Sequence, residues 1–246
     1  MLFVKSSLLL KLVIIIKSVY VTLKVSFVGL YLRYSDTYER VYADKVLRSW
    51  SQRLLDIVRA TYEVSNPHKV ELVPGRPYII MSNHRSHYDI PLIFVSFSGS
   101  IRMLTKKELF KVPIWGRALD AAEFLSVDRK NRPQAIKDMN IAKEKMEGGI
   151  VVWIAPEGTR SRNGSLGEFK KGGFVTAIQT GATIIPVGIK DSDRILKPDT
   201  WDFHLDKKAI VNIGSPIDAS EYSMEERDRL IQDVRGSIVG LTGPVQ

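Results

Sequence analysis

The sequence predicts an α/β fold, a mostly parallel sheet flanked by helices, over residues 61–246. From Thr61 onward, short apolar runs alternate with stretches of helical periodicity, the pattern of strands joined by helical crossovers. The length of 246 residues suits one such domain plus an appendage. With 44% hydrophobic and 26% charged residues, the chain is too apolar to be disordered. Zero cysteines exclude disulfides, thiolate metal or iron–sulfur sites, and a cysteine nucleophile.

Residues 1–60 form the appendage and carry most of the basic excess. They hold ten Lys/Arg against four Asp/Glu, whereas residues 61–246 hold twenty-six against twenty-three. No zinc finger, RNP-like sequence or Arg-rich tract accompanies that charge, so nucleic acid is not the expected partner. The basic region coincides instead with the most apolar one: twenty-two of the first 32 residues are hydrophobic, and the only charges among the 32 are Lys5, Lys11, Lys17 and Lys24. The longest uncharged run, Val25–Leu32, falls short of the roughly 18–20 apolar residues of a spanning helix. Two central lysines add at least about 2.5–3.5 kcal/mol each against insertion at mid-bilayer. A helix lying in the interface, its lysines reaching the headgroups, is the expectation. Asp36 is expected to open a second helix, with Glu39 as its capping-box partner. Val46, Trp50, Leu54 and Ile57/Val58 mark its apolar face, and Arg40, Lys45, Arg48, Arg53 and Arg59 its basic one. The pair reads as a basic helical hairpin resting on anionic lipid.

The strands predicted next are Thr61–Val64, Val70–Val73, Tyr78–Met81, Ile101–Leu104, Glu123–Val127, Ile150–Ile154, Thr183–Ile189 and Ala209–Ile213. Helices are predicted at Ile90–Phe97, Arg132–Glu147, Gly172–Thr180 and Met224–Val239. Ligands of such sheets bind where loops leave the carboxyl ends of strands, so chemistry is sought just after each apolar run.

Ser82–Asp89 follows the run Tyr78–Met81 and contains His84 and Asp89, five residues apart before Ile90-Pro91. Asp89 is a candidate helix N-cap. A carboxylate on Nδ1 would leave Nε2 of His84 free to accept a proton. His87 is ranked below His84, as a polar neighbour. A second loop, Ala155–Ser161, offers Glu157, the flexible Gly158, and Arg160, whose fork suits phosphate oxygens. Glu157 is expected to orient that arginine or to bind a substrate hydroxyl. A third stretch brings Lys106 and Arg129 to the ends of two strands. Neither a G-x-S-x-G elbow, a P-loop nor a metal-ligand cluster is visible.

These elements, in this order, resemble the glycerolipid acyltransferase superfamily of the PlsC type. The histidine-x4-aspartate signature matches His84 and Asp89 within Asn83–Asp89. The second motif matches Gly116 through Phe124 to Asp128-Arg129, and the third matches Ala155–Arg160, where Ala155 stands in place of the usual aromatic residue. Ile184–Val187 matches the short fourth motif.

The resemblance implies the acyltransferase fold and transfer of an acyl chain to the sn-2 hydroxyl of lysophosphatidic acid, giving phosphatidic acid. His84 would be the general base and Asp89 its orienting partner. Lys106, Arg129 and Arg160 would bind phosphate, and Glu157 and Gly158 would help hold the glycerol phosphate. The donor would be a thioester of acyl carrier protein or coenzyme A, with no cofactor and no metal. The enzyme would sit at the cytoplasmic face of a bacterial inner membrane, in contact with its phospholipids. Acylation of glycerol 3-phosphate or of another lysophospholipid is the alternative, and noncatalytic binding of anionic lipid is the alternative of another class.

Overall fold

The computed structural model describes residues 7–35, 39–128, 131–162 and 164–243, so Lys5, Asp36 and Arg129 lie outside the described residues. Two helices lead in, α1 (Leu8–Tyr34) and α2 (Arg40–Ile57). The Ser7 hydroxyl caps α1 by accepting the Leu10 N–H at 3.2 Å, and Glu39 is the N-cap residue of α2.

The sheet contains β1 (Thr61–Ser65), β2 (Tyr78–Ser82), β3 (Ile101–Lys106), β4 (Leu125–Val127), β5 (Val151–Ile154), β6 (Thr183–Lys190), β7 (Lys208–Ile213) and β8 (Ile217–Asp218). Their order is β1-β7-β6-β2-β5-β3-β4, with β8 paired to β6. Strands β6, β2, β5, β3 and β4 run parallel, while β7 and β8 meet β6 antiparallel. The central strand β2 is buried along its whole length, as a strand covered on both faces must be. Tyr78 and Ile80 face one cluster with Leu47 and Leu55 of α2 and Leu92 of α3 (Asp89–Ser96). Ile79 and Met81 face another, with side chains from α5 (Arg132–Glu147), α6 (Gly172–Thr180) and α7 (Arg227–Thr242).

Three expectations are corrected. Val70–Val73 is not a strand, because Asn66 satisfies both backbone groups of Val70, at 2.9 and 3.1 Å, in place of a neighbouring strand. The strand expected from Glu123 begins only at Leu125, because helix α4 (Trp115–Ala121) precedes it and Glu123 turns the chain at φ 63°. The fully buried face of α2 runs through Ala43, Leu47, Ser51 and Leu55, one residue along from the expected Val46, Trp50 and Leu54, which are half-buried, while Val58 of that stripe is buried.

The basic face of α2 is also largely engaged by the domain. Arg40 forms a forked pair with Glu123 at 2.8 Å for each bond, Arg48 donates to the Phe97 carbonyl, and Arg59 pairs with Asp206. Buried Arg102 of β3 meets Asp44 of α2 at 2.7 Å. Lys45 and Arg53 stay exposed. These bonds dock α2 onto the sheet and tie Arg40 and Arg48 to the domain, whereas Arg59, just past the helix, keeps 62% of its side chain exposed.

Helix α1 packs against α2 and α4 and is apolar on two sides. Ile14 is buried, and Trp50 of α2 donates to the Thr22 hydroxyl at 3.1 Å. The opposite side exposes Leu12, Ile16, Tyr20, Leu23, Phe27 and Tyr31, spaced by three or four residues. Lys17 and Lys24 are exposed too. Lys11, expected among the lipid contacts, turns inward and pairs with Asp202. Among the described residues no helix is long and apolar enough to cross a membrane.

Candidate active site

Because β2, β5 and β3 are adjacent and parallel, their carboxyl ends open on one edge of the sheet. The loops after them carry the candidate residues, with neighbouring strands about 4.8 Å apart.

The loop after β2 is organised around one carboxylate. Asp89 Oδ2 receives the Arg85 N–H at 2.7 Å and the Ser86 N–H at 2.9 Å, and lies 2.7 Å from Nδ1 of His84. Asp89 is the first residue of α3, not its N-cap as expected, since its carboxylate is turned back to the loop. It is completely buried, while the His84 side chain keeps 19% of its surface exposed. An imidazole bonded through Nδ1 presents Nε2 outward. Trp153 of β5 stands edge-on to the His84 ring, with centroids 6.3 Å apart, and its indole N–H is held by the Ser82 hydroxyl at 3.0 Å. The ring therefore has one tether and one wall.

The loop after β5 is tied to the first one. Glu157 accepts the His84 N–H at 3.0 Å on one oxygen and the Gly167 N–H at 2.7 Å on the other, and Ser161 donates its N–H to the His84 carbonyl at 2.8 Å. Burial pushes the Glu157 carboxyl above its usual range, against these two backbone donors, which favour the charged form. Gly158 adopts φ 74° in the turn after Glu157, a left-handed conformation that glycine takes without steric cost. Arg160 does not pair with Glu157, as expected, but with Asp199 at 2.9 Å. Glu157 is committed to the backbone of the two loops.

Lys106 ends β3, exposed, two strands from β2. The segment after it turns sharply, and Gly116 allows α4 to pack there, since a Cβ at that position would stand 2.1 Å from the Phe110 carbonyl oxygen. The structure thus groups His84, Asp89, Glu157, Gly158 and Arg160 in two interlocked loops, with Lys106 farther along the same edge.

Comparison with known proteins gives the family. The family described as Acyltransferase matches residues 62–190, just over half of the chain. The chain belongs to the acyltransferase family. The 1-acyl-sn-glycerol-3-phosphate acyltransferase of Haemophilus influenzae is 30% identical to it over 181 residues, 73% of each chain. The human 1-acyl-sn-glycerol-3-phosphate acyltransferase alpha is 32% identical over 144 residues, 58% of this chain and 50% of the human one. The Saccharomyces cerevisiae 1-acyl-sn-glycerol-3-phosphate acyltransferase is 32% identical over 174 residues, 69% of this chain and 56% of the yeast one. The chain thus spans only about half the length of these two eukaryotic relatives. The crystal structure of the 1-acyl-sn-glycerophosphate acyltransferase PlsC from Thermotoga maritima superposes with a TM-score of 0.78 at 24% identity over 97% of both chains, so the fold is shared.

Some residues that shape the site of this acyltransferase carry little signal in the sequence. Asn83 exchanges two hydrogen bonds with the backbone of Ile189, at 2.7 and 2.8 Å, fixing the loop that carries His84 to β6. The buried Ser86 hydroxyl donates to the Leu196 carbonyl at 2.8 Å. Asn83 and Ser86 sit in the polar loop already singled out, yet their partners are more than a hundred residues away. Trp153 reads only as one more residue of an apolar strand.

Proposed function

We infer that this chain transfers an acyl group from a thioester to the sn-2 hydroxyl of 1-acylglycerol 3-phosphate, giving phosphatidic acid. The carrying observation is the 2.7 Å contact between His84 and the buried Asp89 on the edge that also holds Arg160. Nε2 of His84 takes the proton of the acceptor hydroxyl as the oxygen attacks the thioester carbonyl carbon. The tetrahedral intermediate expels the thiolate, which receives that proton from the imidazolium. Asp89 fixes the ring tautomer and stabilises the imidazolium in between. Arg160, Lys106 and Arg129 neutralise the acceptor phosphate, and Gly158 shapes the loop beside it. The donor is a thioester of coenzyme A or acyl carrier protein. An apolar cavity between the hairpin and the domain, lined by Val25, Gly29, Trp50, Trp115 and Phe124 among others, suits its acyl chain.

The exposed apolar side of α1 is the surface laid on the bilayer, with Lys17 and Lys24 at headgroup depth. The anionic cytoplasmic leaflet is the face that attracts such lysines. This placement brings the active site to the acceptor's headgroup.

The test crosses two donors, palmitoyl-coenzyme A and palmitoyl-acyl carrier protein, with three acceptors: 1-acylglycerol 3-phosphate, glycerol 3-phosphate and a lysophosphatidylcholine. Transfer to the first acceptor, lost in His84→Ala, is expected. Preferential acylation of glycerol 3-phosphate would overturn the acceptor assignment, and transfer to none would overturn the activity.

A further inference from the structure

An exposed tryptophan stands at the border of the open side of α1. Lys11 marks that border: three residues before it Leu8 is 84% exposed, and three residues after it Ile14 is 1% exposed. Positions three before and three after a helical residue flank it on opposite sides. Lys11 therefore lies between the open apolar side of α1 and the side docked on the domain. It pairs there with Asp202, whose chain neighbour Trp201 keeps 66% of its surface exposed.

The turn that carries Trp201 is firmly held. Leu196 and Phe203 close it with a β-bridge, and both are buried. The indole leans on Phe203 with ring centroids 6.5 Å apart, which limits the freedom a bare surface side chain would lose on binding. The Ser86 hydroxyl, in the loop of His84, donates to the Leu196 carbonyl at 2.8 Å. One turn is thus tied to α1 and to the candidate active site together.

Its surroundings are basic. Asp202 pairs with Lys11 and Asp199 with both Arg160 and Arg162, while Lys197 at the start of the turn is exposed. Four cations therefore accompany two carboxylates beside an open indole. An anionic bilayer fits that combination, since tryptophan settles at headgroup depth with its N–H toward water and cations draw anionic lipid.

We propose that the Trp201 turn is a second lipid contact, which fixes the roll of the enzyme about α1 and so the height of the active site over an anionic bilayer. This rests on the reading of α1 as the lipid surface. One helix laid in the interface leaves the protein free to roll about the helix axis. A contact to the side of that axis removes this freedom, and the Ser86 bond carries the constraint to the loop of His84. The β-bridge and that bond keep the turn in place without the Lys11 pair.

The test uses the full chain with vesicles of phosphatidylglycerol and phosphatidylcholine whose acyl chains are brominated near the headgroup, where bromine quenches an indole in contact. Trp50, Trp115 and Trp153 remain in Trp201→Phe, so the difference between wild type and this variant isolates Trp201. Most of the quenching is expected to disappear in Trp201→Phe. Trp201→Ala is expected to weaken flotation about tenfold, the effect of burying roughly half of a large apolar side chain. It is also expected to raise KM for 1-acylglycerol 3-phosphate held in vesicles and to leave KM for monomeric 1-hexanoylglycerol 3-phosphate unchanged. Equal quenching in wild type and Trp201→Phe, beside flotation lost in Ile16→Glu, would overturn the role of Trp201 and leave α1 as the lipid surface. An equal rise of both KM values in Trp201→Ala would also overturn it, by assigning the indole to the acceptor site. Flotation that Ile16→Glu does not diminish would overturn the reading of α1, and the second contact with it.

Discussion

Nδ1 of His84 stands 2.7 Å from the Asp89 oxygen that also gathers the backbone N–H groups of Arg85 and Ser86. The carboxylate that would aim the proposed base therefore also folds the loop that carries it. The proposed catalysis and the local structure meet at one atom, and the variants below are chosen to pull them apart.

His84→Ala is expected to lower turnover by about 10²–10⁴-fold, the usual worth of a general base. The side chain belongs to neither buried core cluster, so the thermal midpoint is expected to hold. Asp89→Asn is expected to lose both turnover and stability. The amide oxygen can replace Oδ2 and keep both N–H bonds of the loop. The amide NH2 then fills the buried place of Oδ1, which has no partner among the described residues, and a buried donor left without a partner costs about 1–3 kcal/mol. Turnover and urea unfolding, measured on the same preparations, distinguish the two variants. More than a tenth of wild-type turnover in His84→Ala would remove His84 as the base.

Cation variants address binding in place of chemistry. Arg160→Ala and Lys106→Ala are expected to raise KM for the phosphorylated acceptor about tenfold, near 1.4 kcal/mol, with the donor KM unchanged. Arg160→Lys is expected to recover only part of the loss, since an ammonium lacks the planar fork. Kinetics with each substrate varied in turn provide the check.

The raised carboxyl of Glu157 makes a pH prediction. Above the usual glutamate value of 4.5, the folded protein holds this proton more tightly than the unfolded chain. The group's share of stability is accordingly largest at low pH and falls as pH rises from that value through the raised one. Glu157→Gln is expected to flatten this slope. It is also expected to cost about 1–3 kcal/mol near neutral pH, because the amide can satisfy only one of the two backbone donors. Urea unfolding of both proteins at intervals from about pH 4 to pH 7 reads slope and offset together.

On α1, Ile16→Glu and Phe27→Glu place charge in a side that is exposed at 57% and 54%. Flotation with anionic vesicles is expected to fall while the fold is retained. Lys17→Gln and Lys24→Gln are each expected to weaken binding about fivefold, near 1 kcal/mol, on anionic vesicles and not on neutral ones. Lys11→Gln, which breaks the contact with Asp202, is expected to leave flotation unchanged.

Much of this was legible in local pattern. Alternating apolar runs and helical periods predict the sheet, because each element's burial is written into its own period. The five-residue spacing of His84 and Asp89 predicts their meeting, because a short loop into a helix confines them. The sequence does not carry which side of a helix faces protein when both sides are apolar. In α1, Ile14 and Phe27 have the same chemistry, and only docking on α2 and α4 buries the first and exposes the second. Nor does it carry the partners of long polar side chains. Arg40 and Arg48 look like lipid contacts until Glu123 and the Phe97 carbonyl arrive from other elements. Arg160 and Asp199 are 39 residues apart, and Asn83 and Ile189 are 106 apart. An ion pair or hydrogen bond depends on distances of a few ångströms, and across such separations only the packing of the whole sheet sets those distances.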